Sequence, residues 1–179
     1  MTRVARRPEE RFVRLAAEVR AEIDRLSLVV GEAEGALKRF AGRSPSTLEL
    51  RGIGDVLHDF YTGTERIFMK IAPELNGGVP AGLSWHRELL HSMTLALPGI
   101  RPPLLRAQTA RGLEEYLRFR HVFRNLYGFE LEWDRLRPLL RRVKRVWSPL
   151  RGDLSRFLRF LEAAASSKEG NEGVGRRKG

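Results

Sequence analysis

The chain has 179 residues, of which 42% are hydrophobic, and its formal net charge at pH 7 is +11. This length predicts one domain with a sizeable core, and the charge favours a polyanionic partner such as RNA. Cysteine is absent, which excludes disulfides, thiol nucleophiles and thiolate metal sites. No apolar run follows the basic N-terminal residues and none is long enough to span a bilayer, so we expect a soluble, cytoplasmic protein.

Hydrophobic residues along most of the chain recur at alternating steps of three and four, which is the period of an α-helix. The pattern predicts a first helix over residues 8–41, stopped by the glycine and proline within residues 42–45. It predicts a second helix over residues 47–71. Three glycines interrupt this second helix, at Gly52, Gly54 and Gly63. Each glycine either weakens the helix or allows a neighbouring helix to approach closely.

Two loops rich in proline and glycine separate the middle segments of the chain. Ser84 offers an N-cap for a short helix that ends near Leu97. After the second loop, a helix is expected over residues 104–127. The last helical pattern begins near Trp133 and is interrupted at Pro149, because proline breaks a helix interior.

The sequence pattern predicts an all-α fold. No stretch shows the alternation of a strand, and helices joined by loops of this length fold as an up-and-down bundle, here of about five helices. We predict one helical domain over residues 1–165. Residues 166–179 are rich in Gly, Ser, Lys and Arg, and we expect them to form a disordered basic tail.

A polar motif occupies residues 120–127 of the chain. At about 100° per residue, Arg120, Arg124 and Tyr127 form one stripe of the predicted helix, and His121 and Asn125 form the stripe beside it. The apolar residues of the segment share the opposite face and are Phe119, Val122, Phe123 and Leu126. We therefore expect the apolar face to seat the helix and the polar face to remain free for function.

This motif resembles the signature helix of HEPN-type ribonuclease toxins of the HepT-like kind. In that helix an arginine is followed after four residues by a histidine and, two positions further on, by a tyrosine. Arg120 and Tyr127 match the arginine and the tyrosine. Asn125 stands at the position of the histidine, and the nearby imidazole belongs to His121.

Three further stretches look like the same family, namely residues 57–61, 65–68 and 85–90, so the resemblance covers about residues 53–140. It implies a HEPN-like bundle that forms a two-fold homodimer, in which the signature helices of both protomers line one composite cleft. It also implies a nucleotidyltransferase antitoxin that adenylylates the tyrosine at the position of Tyr127. The added negative charge and bulk would repel RNA from a cationic cleft.

Metal-independent RNA cleavage needs a base, an acid and fixed positive charge, and the motif offers candidates for these roles. Arg120 suits the charge role because its guanidinium is permanently charged and matches phosphate oxygens, with Arg124 assisting. His121 either replaces the family histidine or only binds RNA. Asn125 can orient a phosphate or ribose but cannot exchange a proton. The candidate catalytic residues are Arg120, His121, Asn125 and Tyr127.

Basic residues dominate the segment 135–159, where Asp153 is the sole acidic residue. Such a density of arginine and lysine fits the backbone of RNA or tRNA. The candidate RNA-binding residues are Arg118, Arg124, Arg141, Arg142, Lys144 and Arg145. The alternative is a solvated helix face in a protein whose arginine content reflects base composition.

Structural interpretations of the same residues stay open at this point. Arg120 and Arg124 could form salt bridges to Glu114, to Glu115 or to a second protomer, and His121 could be a surface histidine. Tyr127 could be a half-buried aromatic residue. Packing or capping is the expected role of His58, Trp85 and His86.

Two functions therefore follow from the sequence. The first is a metal-independent endoribonuclease toxin that acts on tRNA or mRNA and is neutralised by a nucleotidyltransferase antitoxin. The alternative is a non-catalytic helical module that binds RNA or regulates such a nucleotidyltransferase. The chain lacks a glycine-rich phosphate loop, and its histidines lack the spacing of a zinc site, so we predict no cofactor and no metal.

Overall fold

The structure is a computed structural model that describes residues 8–125 and 130–172. Five α-helices form this part of the chain: α1 (Pro8–Arg39), α2 (Thr47–Leu75), α3 (Trp85–Ser92), α4 (Ala107–Phe123) and α5 (Trp133–Glu172). No strand occurs among these residues, although Leu97 and Arg101 form one isolated bridge. The all-α bundle predicted from the sequence is confirmed. None of the described helices is both long and apolar enough to cross a membrane.

The long helices α1, α2 and α5 form the body of the bundle, and α4 packs on α2 and α5. Each helix turns its apolar stripe towards the others, as the three-and-four spacing predicts. The side chains that are almost completely buried include Leu15, Leu26, Phe60, Phe68 and Phe157. Burial of one such side chain contributes about 1.5–3 kcal/mol to stability.

Several helix ends differ from the predicted ones. Helix α2 continues beyond residue 71 to Leu75, with Pro73 inside its last turn, because Ala72 and Leu75 are buried in the core. Helix α3 ends at Ser92 and not near Leu97. Ser84 occupies the predicted N-cap position, but its hydroxyl donates to the carboxylate of Glu88 and does not cap the backbone.

Helix α4 begins at Ala107 and not at residue 104. The backbone N–H groups of Leu104 and Leu105 both donate to the carbonyl of Met93, each at 3.0 Å, which ties the preceding loop to the end of α3. Leu104 and Leu105 are buried, so the loop contributes to the core without helical geometry.

Helix α5 is continuous through Pro149, so the interruption predicted there is wrong. Trp147 and Leu150 are buried on either side of the proline, and this burial outweighs the backbone hydrogen bond that proline removes. The tail predicted from residue 166 begins inside α5, which extends to Glu172. Residues 173–179 lie outside the described residues.

Asp153 on α5 holds the start of α4. Its fully buried carboxylate accepts hydrogen bonds from the backbone N–H of Arg106 at 3.0 Å and from the hydroxyl of Thr109 at 2.6 Å. It also accepts from the Nε of Arg106 at 2.7 Å and from Arg156 at 2.8 Å. Burial alone would raise the pKa of Asp153, but these hydrogen bonds outweigh it and leave the pKa below its ordinary value.

Two of the three glycines in α2 lie where another helix approaches closely. A Cβ atom added at Gly54 would lie 2.4 Å from the ring of Phe123, and one added at Gly63 would lie 2.8 Å from Leu26. A Cβ atom at Gly52 would meet nothing within 4 Å. Gly54 therefore allows the C-terminal end of α4 to rest on α2.

We expect Gly54→Ala to lower the free energy of unfolding by about 1–3 kcal/mol, because the new methyl group overpacks the contact with Phe123. The matched control is Gly52→Ala on the same helix, where alanine should raise stability by up to about 1 kcal/mol. Urea denaturation measures both values. Equal stability of the two variants would contradict the close contact between α2 and α4.

Candidate functional site

A cleft of about 450 Å³ opens between the C-terminal end of α4 and the start of α3. The residues that line it are Gly82, Leu83, Trp85, His86, Arg120, His121, Arg124 and Asn125. Four of the residues singled out in the sequence motif thus face one cavity. Leu83 and Trp85 are the large apolar residues of its wall, and Arg120 and Arg124 carry positive charge.

The cleft lies where α4 ends. Phe123 is the last helical residue, and the side-chain amide of Asn125 donates to the carbonyl of His121 at 2.9 Å. Asn125 therefore satisfies one of the free carbonyl groups at the helix end while remaining exposed. Phe123 seats this end of α4 on α2, with its ring 5.6 Å from that of His58.

The division of α4 into an apolar seat and a free polar face is wrong in two respects. Val122, assigned to the seat, is 54% exposed, and Arg120, assigned to the free face, is 8% exposed. Leu126 lies outside the described residues. The end of α4 contacts α3 as well as α2, so the side chain of Arg120 faces protein and not solvent.

Arg120 belongs to a buried triad with Glu65 of α2 and His86 of α3. Its terminal nitrogens lie 3.3 Å from Oε2 of Glu65 and 3.1 Å from Nε2 of His86. The Nδ1 of His86 lies 2.6 Å from Oε1 of Glu65. The partner of Arg120 is therefore Glu65, and neither Glu114 nor Glu115 contacts it among the described residues.

His86 is the site residue that the sequence interpretation underestimated. It is 8% exposed, its ring contacts that of Trp85 with centroids 3.5 Å apart and planes tilted by 32°, and its ring centroid lies 5.3 Å from that of His121. A signal for it existed in α2, where Glu65 interrupts a run of residues that face the core. An acidic side chain in such a position needs a buried polar or cationic partner.

His121 lies on the exposed wall of the cleft, next to the triad. Desolvation by the surrounding protein lowers the pKa of the His121 imidazole below 6.5, and the positive charge of Arg120 acts in the same direction. Glu65 acts in the opposite direction and Arg87 in the same direction, with smaller effects. The imidazole of His121 is therefore neutral at pH 7.

Further polar groups lie on the buried side of the triad. Tyr61, one turn before Glu65 on α2, is completely buried, and its hydroxyl has no hydrogen-bond partner among the described residues. Burial and the charge of Glu65 raise the pKa of this phenol, whereas Arg120 lowers it. The Nε of Arg120 is likewise buried without a partner in that part of the chain.

Comparison with known families gives a match over residues 52–161, to a family described as HepT-like protein. The chain belongs to the HepT-like family. The matched segment contains all the residues that line the cleft and all three members of the buried triad. HepT-like proteins are typically ribonuclease-like. No curated protein and no solved structure gives a significant match.

The tyrosine of the HepT-like motif, Tyr127, lies outside the described residues, so its predicted catalytic role and modification remain predictions. Arg124 is exposed at the mouth of the cleft and has no side-chain partner among the described residues. Arg118 is exposed too, but it lines a different groove of this HepT-like bundle, beside Phe119 and the exposed Val122.

The other candidate RNA-binding residues lie along α5. Arg142 contacts both carboxylate oxygens of Glu115 at 2.7 and 2.8 Å, and Lys144 pairs with Glu34 at 2.7 Å. Arg141 and Arg145 are exposed and form no ion pair within the described part of the chain. Four of the six candidates (Arg118, Arg124, Arg141 and Arg145) therefore keep their guanidinium groups available for phosphate.

Proposed function

We propose that this HepT-like protein is a metal-independent endoribonuclease toxin that cleaves tRNA or mRNA in the cleft between α3 and α4. The observation that carries the proposal is the position of His121. A neutral imidazole lies in the cleft beside the fixed guanidinium of Arg120 and the unpaired guanidinium of Arg124. These groups match the base and the positive charge that phosphodiester cleavage requires.

In this mechanism His121 takes the proton of a ribose 2′-hydroxyl, and the oxygen attacks the adjacent phosphorus. The bond from phosphorus to the 5′-oxygen breaks, and that oxygen takes a proton from water. The products are a 2′,3′-cyclic phosphate and a 5′-hydroxyl. Arg120 and Arg124 stabilise the charge that develops on the phosphate oxygens, and the imidazolium then returns its proton to solvent.

The proposal includes a homodimer and a nucleotidyltransferase antitoxin. An isologous dimer that joined the ends of the two α4 helices would place two copies of Arg120, His121 and Arg124 in one cleft and double its positive charge. The net charge of +11 supports a polyanionic substrate for such a cleft. Tyr127 follows the cleft residue Asn125 by two positions, and adenylylation there would add negative charge that opposes RNA binding.

One observation favours the second candidate function, a non-catalytic module that binds RNA or regulates a nucleotidyltransferase. Asn125 stands where the family motif has histidine, and its amide is engaged in a hydrogen bond to the carbonyl of His121. An amide cannot exchange a proton at neutral pH. On this alternative, the cationic cleft binds RNA without cutting it.

The test is cleavage of total RNA and of tRNA by the purified protein with all metals chelated. We expect cleavage with cyclic phosphate ends, and a fall in kcat/KM of about 100-fold in Arg124→Ala. The matched control is Arg111→Ala, an exposed arginine on α4 about 20 Å along the helix from Arg124, which should leave the rate unchanged.

The outcomes separate the two functions. RNA binding without cleavage by the wild-type protein would overturn the ribonuclease and support the binding module. Cleavage that falls equally in Arg124→Ala and Arg111→Ala would show that general positive charge, and not the cleft, determines the rate.

A further inference from the structure

The buried triad is a closed ring of contacts made by three helices. Arg120 of α4 contacts Oε2 of Glu65 at 3.3 Å and Nε2 of His86 at 3.1 Å. The remaining contact, 2.6 Å from Nδ1 of His86 to Oε1 of Glu65, joins α3 to α2. The side chains of Glu65, His86 and Arg120 are only 4%, 10% and 10% exposed, so water competes little for these contacts.

The ring determines the tautomer of His86. A guanidinium has hydrogens to donate and no lone pair to accept with, so Nε2 of His86 must accept from Arg120. The ring proton is then on Nδ1, from which it donates to the carboxylate of Glu65. The triad thus contains one anion, one cation and one neutral imidazole, and its charges balance within the protein interior.

The geometry points to Glu65 and His86 as positioning residues that hold the guanidinium of Arg120 in a fixed orientation at the cleft. This inference rests on the proposed function, since it explains how the group that stabilises the transition state is placed. A preorganised cation needs no rearrangement when charge develops on the phosphate. Arg124, which has no partner among the described residues, lacks such support.

Helix α3 supplies the histidine of the triad. It is the shortest helix of the described part of the chain, and it brings His86 against α4 with one face of the imidazole covered by Trp85. Contact with Trp85 restricts rotation of the His86 ring. The orientation of Arg120 thus depends on residues from two helices outside the sequence motif that contains Arg120 itself.

The first experiment tests the ring directly, without RNA. Nitrogen NMR of protein with ¹⁵N-labelled histidine distinguishes the two neutral tautomers and the imidazolium. We expect His86 to carry its proton on Nδ1 at neutral pH, and His91, an exposed histidine on the same helix, to show the tautomer mixture of a solvated side chain. A proton on Nε2 of His86 would overturn the proposal.

The second experiment measures cleavage by three variants. Glu65→Gln should lower kcat by about 10- to 100-fold with little change in KM, because the substrate still binds but Arg120 is misplaced. His86→Leu should behave similarly. His86→Gln should recover part of the loss, since the glutamine oxygen can replace Nε2 as an acceptor for Arg120. The control Glu74→Gln, on the same helix but in a more exposed ion pair, should keep wild-type kcat.

The outcomes distinguish this inference from the proposed function. If the wild-type protein cleaves no RNA, the ribonuclease fails, while the tautomer of His86 still tests the ring. If the protein cleaves RNA but His86→Gln is no better than His86→Leu, the acceptor role of His86 is wrong. Thermal unfolding of each variant shows whether a fall in kcat accompanies loss of the fold. The kcat of Glu65→Gln is evidence for positioning when the variant unfolds at the same temperature as the wild type.

Discussion

We expect replacement of His121 by glutamine to lower kcat/KM for RNA cleavage by about 100-fold or more, because the proposed role of His121 is that of the general base. Glutamine keeps the size and hydrogen-bonding capacity of the side chain but cannot take a proton. His91→Gln is the matched control, because His91 is an exposed histidine of α3 outside the cleft, and this change should leave the rate unchanged.

The pH dependence of cleavage checks the same assignment. A base acts in its unprotonated form, so the rate should rise with pH through the pKa of His121 and then level off. Desolvation and the positive charge of Arg120 hold this pKa below 6.5, with Arg87 acting in the same direction and Glu65 against it. The acid limb should therefore lie below pH 6.5 in the wild type and disappear in His121→Gln. If the acid side of the pH–rate profile is unchanged in His121→Gln, a group other than His121 is the base.

The helical fold and the part of the cleft contributed by α4 and the residues just after it could be predicted because both depend on short-range patterns. The three-and-four spacing of apolar residues predicts α1 and α2 to within a few residues at each end, since both helices bury one continuous stripe. Arg120, His121, Arg124 and Asn125 lie within six consecutive positions. One turn and a half of helix is enough to bring them to the same cavity.

The partners of Glu65 in the triad could not be predicted, because they are far from it in sequence. Glu65 and Arg120 lie on different helices, and His86 comes from a third. Periodicity identifies the two faces of α4 but does not reveal that α3 covers Arg120 near the C-terminal end of the helix. That covering turns Arg120 from a surface charge into a buried partner of Glu65, and leaves Val122 exposed instead.

Tertiary packing also explains why some helix ends differ from those that local sequence predicts. Pro149 predicts an interruption by its missing N–H group, yet α5 continues through it because buried residues lie on both sides. The loop before α4 shows the opposite case. Leu104 and Leu105 continue the apolar pattern of the helix, but they lie in a loop that is buried in the core and bound through its N–H groups to the carbonyl of Met93.

We expect Asp153→Ala to lower the free energy of unfolding by about 2–4 kcal/mol, because it removes a fully buried acceptor from two neutral donors. The change leaves the hydroxyl of Thr109 and the backbone N–H of Arg106 without their acceptor. The guanidinium of Arg156 loses its ion pair as well. Urea denaturation at neutral pH measures the loss, which is large for a chain of this size.

The pH dependence of stability gives Asp153 a second test. Its pKa is lower in the folded protein than the ordinary value of 3.8, so its stabilising contribution is complete above about pH 5 and is lost as pH falls through the folded value. Asp153→Asn should therefore flatten the acid side of the stability curve. The control Asp134→Ala, at an exposed position in the first turn of α5, should change stability by less than about 0.5 kcal/mol. If Asp153→Ala were equally mild, the carboxylate would not be what fastens α4, and with it the cleft, to α5.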